Sequence, residues 1–451
     1  MVQSKQTIGF WTALALVVGN ILGVGIFTTT GYLANYVSNP YLILLAWLIG
    51  AVYAYTGANV YGFLAAEMPY RGGDYVYLKK YYHPYIAYLF GWSALFITYT
   101  GSIAALTIGG AYYLNDIFTC CDLSQTVFAF NLWGLDTRLD GIKITGALLV
   151  IFFTYINYLG LKTGGKTQIA LTAFIVLFMI AYIAGTLVSN PSFLIKGNAG
   201  QSPQSVQGFF AGLAAVLFTY MGWTTIVYIA NEVKTPRKTI PRALAWGIII
   251  VVLLYMGINF AFLTVFRPVQ LSNEINVASQ VAFKLWGSGV GRLIALMILT
   301  AVLSSLNSTV LSGPHIYQAM AYDHFLWGKL QKMHPRYGTP SVALWVQCSW
   351  SLVLLFSGTF NQILTLVVAA ILLFSILTAF SAVRLIGEQL KKGKITARAH
   401  VPHVLVYIVL CMLVLFYIMA ENPLESLYGF ALLALSWPFY FFSKYTFGKS
   451  R

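Results

Sequence analysis

Apolar residues along this chain gather into long, almost charge-free runs separated by short polar stretches. Each run reaches the roughly 20 residues a helix needs to cross a bilayer. They cover residues 8–37, 41–66, 85–115, 141–160, 167–189, 205–231, 239–266, 289–312, 340–358, 361–385, 401–420 and 425–445. The pattern predicts an all-α polytopic membrane protein with twelve transmembrane helices. Three connections are longer. The first, 116–140, is acidic, with Asp116, Asp122, Asp136 and Asp140. The second, 267–288, contains VASQVAFKLW, which predicts a helix lying on the protein as a lid. The third, 313–339, reads as a short helix followed by a turn.

Charge supports this count. With a cytoplasmic N-terminus, 21 of the 27 lysines and arginines fall in inside segments and 6 in outside segments. Such alternation is what the positive-inside rule demands, and it places both termini in the cytoplasm. Only 9% of the 451 residues are charged and 59% are hydrophobic, against roughly 25% charged in soluble domains. The net charge of +15 therefore reflects topology and attraction to anionic lipid. No basic, aromatic-interleaved face of the kind that binds nucleic acid accompanies it.

Two spans carry helix breakers at their middle. GNILGVGIFTTTG, residues 19–31, holds Gly19, Gly23 and Gly25; LFTYMGWTT, residues 217–225, holds Gly222 among Phe218, Tyr220 and Trp223. These are the first and sixth spans, five apart. Interrupted segments at matching places in two halves point to an inverted-repeat transporter with its site at the breaks. An unwound turn at membrane depth exposes N–H and C=O groups that protein, ligand or water must satisfy. The half-helix starting after a break offers N–H groups and a positive dipole end to an anion. The half-helix ending before it offers carbonyls to a cation. A zwitterionic amino acid, with both charges on one carbon, suits such a pair. Gly19 and Gly23 also have the spacing of a small-residue helix contact, and that packing role stays open at this point.

The motifs resemble those of the amino acid–polyamine–organocation permeases, and especially the L-type amino acid transporter branch. GNILGVGIF is similar to that family's first-span signature. AEMPYRGGDYVYLKKYYHPYIAYLFGW, residues 66–92, and LFTYMGWTTIVYIANEVKTPRKTIPR, residues 217–242, resemble two further runs, and 314–340 resembles the loop before the ninth span. The resemblance implies two inverted five-helix repeats (the LeuT-like fold), here 1–190 and 205–386, with peripheral helices in 400–446. It implies transport of amino acids by alternating access. Carried over, Gly23, Val24 and Gly25 offer N–H groups to the substrate carboxylate. Ile21, Phe218 and Met221 offer carbonyls to the amine, Thr219 lines the pocket, and Phe218 closes over the substrate. Asn20, Ile26 and Gly222 stand beside them.

The sequence departs from that pattern at Val24, at Ile175, and at His315 and Tyr322, which stand where the family tends to have arginines in its cytoplasmic loop. Val24 replaces a serine and is expected to narrow the pocket with its stiff branched side chain. Ile175 stands where many relatives of this branch have a lysine. Ser304 and Ser305 are candidates to offer hydroxyls to a coupling ion, H⁺ or Na⁺, against the alternative that they bond their own helix carbonyls.

Few ionisable residues lie deep in any span. No carboxylate is expected in the pocket, which favours neutral amino acids over a polyamine or cationic amino acid exchanger; a non-transporting sensor on the same fold is a further alternative. Glu67, Arg71, Glu232, Lys234 and Arg237 form a candidate inner gate of ion pairs, with Glu232 and Arg237 as one expected pair. The six histidines lie in or beside cytoplasmic segments and make no metal spacing. Cys120 and Cys121 fall in the first outside loop, where some relatives of this branch link a partner subunit; none is expected here. No catalytic constellation, cofactor or metal site emerges, so the chain does not read as an enzyme. It reads as an integral protein of a bacterial inner membrane.

Overall fold

Proline and small polar residues set the helix starts. Pro40 and Pro84 each open a helix at its first turn, where the missing N–H costs nothing. Asn39 and His83 precede them and accept from the N–H groups of Tyr41 at 2.9 Å and Tyr85 at 3.2 Å. The computed structural model describes residues 8–117, 122–132, 135–159, 164–190, 194–197, 206–274, 276–357, 360–421 and 423–447. Among these, ten helical stretches are long and apolar enough to cross a membrane. Two shorter apolar helices, Gly208–Tyr220 and Ser341–Ser357, lie on the expected sixth and ninth spans.

The two interrupted spans are as expected, and some other elements differ from the sequence reading. The first span is two helices, Phe10–Ile21 and Gly25–Ala34. The sixth is Val206–Tyr220, a break, and one turn at Thr225–Tyr228. The third-loop segment is not a separate short helix: the eighth-span helix runs unbroken from Ser288 to Tyr322. Pro314 inside it removes the N–H that would reach the Val310 carbonyl four residues back. Gln347 of the ninth span donates to that carbonyl instead, at 3.0 Å, so the helix continues. The acidic loop is not wholly irregular either. Strands Thr126–Leu132 and Leu135–Asp140 pair antiparallel, a small exception to the all-α expectation. The segment VASQVAFKLW does form a helix, Val277–Trp286. It docks through its apolar face, with the Tyr182 hydroxyl donating to the Ala278 carbonyl at 2.7 Å. The expected twelfth span is a span-length stretch, Ser426–Ser443, built from two helices, Pro423–Ala434 and Ser436–Phe447.

Lipid tails are as apolar as leucine, so helices here associate by shape and hydrogen bonding rather than by escape from water. The core shows both. Trp47 of the second span sits edge-on against Tyr220 and Tyr255, with ring centroids 5.8 and 5.4 Å apart, and Tyr220 donates to the Trp47 carbonyl at 3.2 Å. The first-span helices, the second span Pro40–Glu67 and the seventh span Pro236–Val265 pack around this cluster. The fourth and fifth spans are mostly unburied, with Leu148, Leu177 and Ile180 turned outward, as helices facing lipid would be.

Candidate substrate site at two helix breaks

The first break spans Leu22–Val24. The Leu22 N–H still reaches the Val18 carbonyl at 3.0 Å, and Gly23 donates back to Ile21 at 2.8 Å. The next half-helix opens at Gly25, and the leading N–H groups of a helix have no acceptor within it. Gly25 is glycine because of what stands beside it: a Cβ there would lie 2.5 Å from the Thr219 Oγ1. The second break turns at Gly222, whose φ of +123° is strained for any side chain. A Cβ on Gly222 would also meet the Asn20 backbone oxygen at 2.7 Å.

Side chains tie the two breaks together. Asn20 Nδ2 donates to the Gly222 carbonyl at 2.8 Å and reaches Thr225 Oγ1 at 2.6 Å. Thr29 and Thr219 hydroxyls meet at 2.8 Å. The buried Tyr255 hydroxyl lies 2.8 Å from the Ile21 carbonyl and 3.1 Å from that of Thr219. Ser305 Oγ faces the end of the first half-helix, 3.4, 3.5 and 3.2 Å from the Gly19, Asn20 and Leu22 carbonyls. Ile21 thus already accepts from Gly23 and Tyr255, which fills both lone pairs of its carbonyl. Phe218 accepts once, from the Met221 N–H at 2.9 Å.

A cavity of about 150 Å³ lies between the breaks. Of the expected residues, Asn20, Ile21, Gly23, Val24, Gly25, Phe218, Thr219, Met221, Gly222 and Ser305 line it. Ile26, Ile175 and Ser304 are buried but do not. Val24 lines the cavity, and its methyls also stand 3.2 Å from where a Cβ on Gly109 of the third span would be.

The opposite wall overturns one expectation. Asp74 lines the cavity and is 1% exposed. It opens the short helix Asp74–Tyr81 between the second and third spans. Three hydroxyls donate to it at 2.6 Å: Tyr61 and Thr378 to Oδ1, Tyr228 to Oδ2. Burial pushes its carboxyl above the usual carboxylate range, against the downward pull of those donors. Asp74 reads in the sequence as a residue of a polar connection. The signal for its position is the doublet Gly72-Gly73, with φ of +105° and +50°. The doublet turns the chain inward where Gly73 packs against the Tyr228 ring.

The amino acid permease family profile matches residues 8–435. This chain belongs to that family. It is 31% identical to the serine/threonine exchanger SteT of Bacillus subtilis, over 86% of this chain and 85% of that one. It is 27% identical to the mouse b(0,+)-type amino acid transporter 1, covering 98% and 89%. It is also 24% identical to the rat large neutral amino acids transporter small subunit 2, covering 98% and 81%. The permease is an integral membrane protein, and its family is one of transporters rather than enzymes.

In this permease the five charged residues read as an inner gate do not form one cluster. Arg71 pairs with Glu232 at 3.0 Å and donates to Gln318 at 2.8 Å. Glu67 accepts from Gln389 at 2.9 Å. Lys234 and Arg237 are exposed and make no ion pair among the described residues, so the partner of Glu232 is Arg71 and not Arg237. The Glu232 and Lys234 backbones pair with Ile8, joining the first span's entry to the sixth span's exit. His315, read as lying in or beside a cytoplasmic segment, is buried on the long eighth-span helix. Cys120 and Cys121 lie outside the described residues.

Proposed function

We propose that this permease is a secondary active transporter that moves neutral amino acids across the bacterial cytoplasmic membrane by alternating access. Twelve spans, two inverted repeats over 1–190 and 205–386, and peripheral helices in 400–446 form its frame, with both termini inside. The observation carrying this reading is the cavity between two helix breaks, lined by Gly23, Val24 and Gly25 of the first break and by Phe218, Thr219 and Met221 of the second.

The substrate carboxylate sits at the start of the second half-helix, against the N–H groups of Val24 and Gly25. Gly23 joins them when it releases Ile21. The ammonium group goes to the open carbonyl lone pairs of Phe218 and Met221, while Tyr255 holds Ile21 in place. Phe218 covers the substrate, and excluding water there strengthens the polar contacts beneath it. Thr219 and Gly25 set the floor. A neutral side chain fits this reading because Asp74 is buried under three hydroxyl donors, and a basic side chain would reach it only by rearranging them. Arg71 and Glu232 act as the inner gate. No partner subunit enters the reading, and the relatives' names support amino acids as the substrate class.

Reconstituted protein loaded with one amino acid and challenged with a labelled panel tests the proposal. Neutral amino acids are expected to exchange. Preferential exchange of lysine, arginine or polyamines would move the substrate class to cations and make Asp74 their ligand.

A further inference from the structure

Asp74 is a buried carboxylate with no cation beside it. The side chains facing it come from every element around it, and none is charged among the described residues: Tyr61 from the second span, Tyr99 from the third, Tyr228 after the sixth-span break, Thr378 from the tenth span, and Tyr77 from its own helix. Arg71, three residues earlier, turns away to Glu232 and Gln318. A carboxylate has about four acceptor positions, and three are filled, two on Oδ1 and one on Oδ2. The open position is on Oδ2. At 1% exposure it admits a proton, and an ammonium or a hydrated metal ion only with rearrangement.

The donor on that same oxygen matters most. Tyr228 belongs to the short helix after the sixth-span break, and the same stretch leads through Ala230–Glu232 to the Arg71 ion pair. The helix carrying Asp74 is itself tied to the eighth span, where Asp323 binds both Tyr75, at 2.6 Å, and Lys79, at 2.5 Å. Whatever changes the Asp74–Tyr228 bond therefore acts on the joint between substrate cavity and inner end.

We propose that Asp74 is the proton-coupling group of this transporter, taking a proton on Oδ2 and returning it to water on the other side of the transport cycle. The proposal rests on the transport reading above. A protonated Oδ2 loses acceptor strength toward the Tyr228 hydroxyl, which frees the helix after the break. The ionised form draws three hydroxyls in and holds that helix. Proton occupancy and the position of the sixth-span half-helix are thus linked, and substrate movement follows a pH gradient.

The test uses the full-length protein in liposomes, with the substrate found by exchange. Two readouts separate the proposal from the transport reading: exchange without any pH gradient, and uptake driven by an imposed gradient across a range of outside pH. Wild type is expected to accumulate substrate in response to the gradient. Asp74→Asn is expected to lose gradient-driven accumulation, and whatever uptake remains should no longer vary with pH. Tyr228→Phe and Thr378→Val each remove a donor to the ionised form. Each should move the midpoint of the pH profile upward by about one unit, which keeps the proposal testable if Asp74→Asn fails to fold. A wild type that exchanges amino acids yet ignores the gradient would overturn the proton role and leave the transport reading standing. So would an Asp74→Asn profile identical to wild type, or unmoved midpoints in both donor variants. Absence of any amino acid exchange by wild type would overturn the transport reading itself.

Discussion

Gly25 and Gly222 stand at the two breaks and are glycine for different reasons. Gly25 has ordinary helical backbone; what excludes a side chain is the Thr219 hydroxyl 2.5 Å from its would-be Cβ. Gly222 has φ of +123° and faces backbone, the Asn20 oxygen, at 2.7 Å. The first break is thus shaped by a neighbouring side chain, the second by its own chain path. A side chain can be trimmed and a backbone cannot, so the two sites should answer differently to the same substitution.

The largest effect is expected at the second break. Gly222→Ala combines a strained φ with a backbone overlap and should lower stability by about 3 kcal/mol, read as thermal unfolding in detergent. No single partner change should restore it. Gly25→Ala should cost about 2 kcal/mol by overpacking and weaken substrate binding. Adding Thr219→Ala should recover most of that loss. If the double variant is no better than Gly25→Ala, the contrast between the two glycines is wrong. Tyr255→Phe removes the hydroxyl placed between the Ile21 and Thr219 carbonyls. It should cost about 1 kcal/mol, seen as a several-fold weaker affinity in titration of purified protein. The smallest effect belongs to Arg71 and Glu232, whose side chains are 21% and 29% exposed. Either single charge reversal should change stability by less than about 1 kcal/mol, while transport falls. The swap Arg71→Glu with Glu232→Arg should bring transport back, and failure to do so would remove the pair from the gate.

Much of the helical frame was readable from the chain because bilayer thickness imposes one length on every spanning helix. Both breaks were readable for a related reason: poor helix formers in the middle of an apolar run have few purposes. What stayed hidden depends on contacts between distant segments. Nothing local marks Tyr255 as the hydroxyl reaching both breaks, since an aromatic in a seventh span looks like any packing residue. Asp74 went unremarked because a charged residue between two spans normally faces water; only the fold of Gly72-Gly73 and three distant hydroxyls make it a cavity residue. The Glu232 partner was misassigned because Arg237 is nearer in sequence, whereas Arg71 is nearer in space. The Pro314 helix survives through Gln347, a residue of another span that no local rule could supply.

The most direct measurement of the central claim is the affinity of purified protein for one transported amino acid and two blocked forms of it, the methyl ester and the N-acetyl derivative. If helix-start N–H groups hold the carboxylate and helix-end carbonyls hold the ammonium, each blocked form loses charge-assisted hydrogen bonds. Each should then bind at least about tenfold more weakly than the parent. Equal binding of the parent and both derivatives would contradict the account, because the two breaks would then not be reading the amino acid's paired charges.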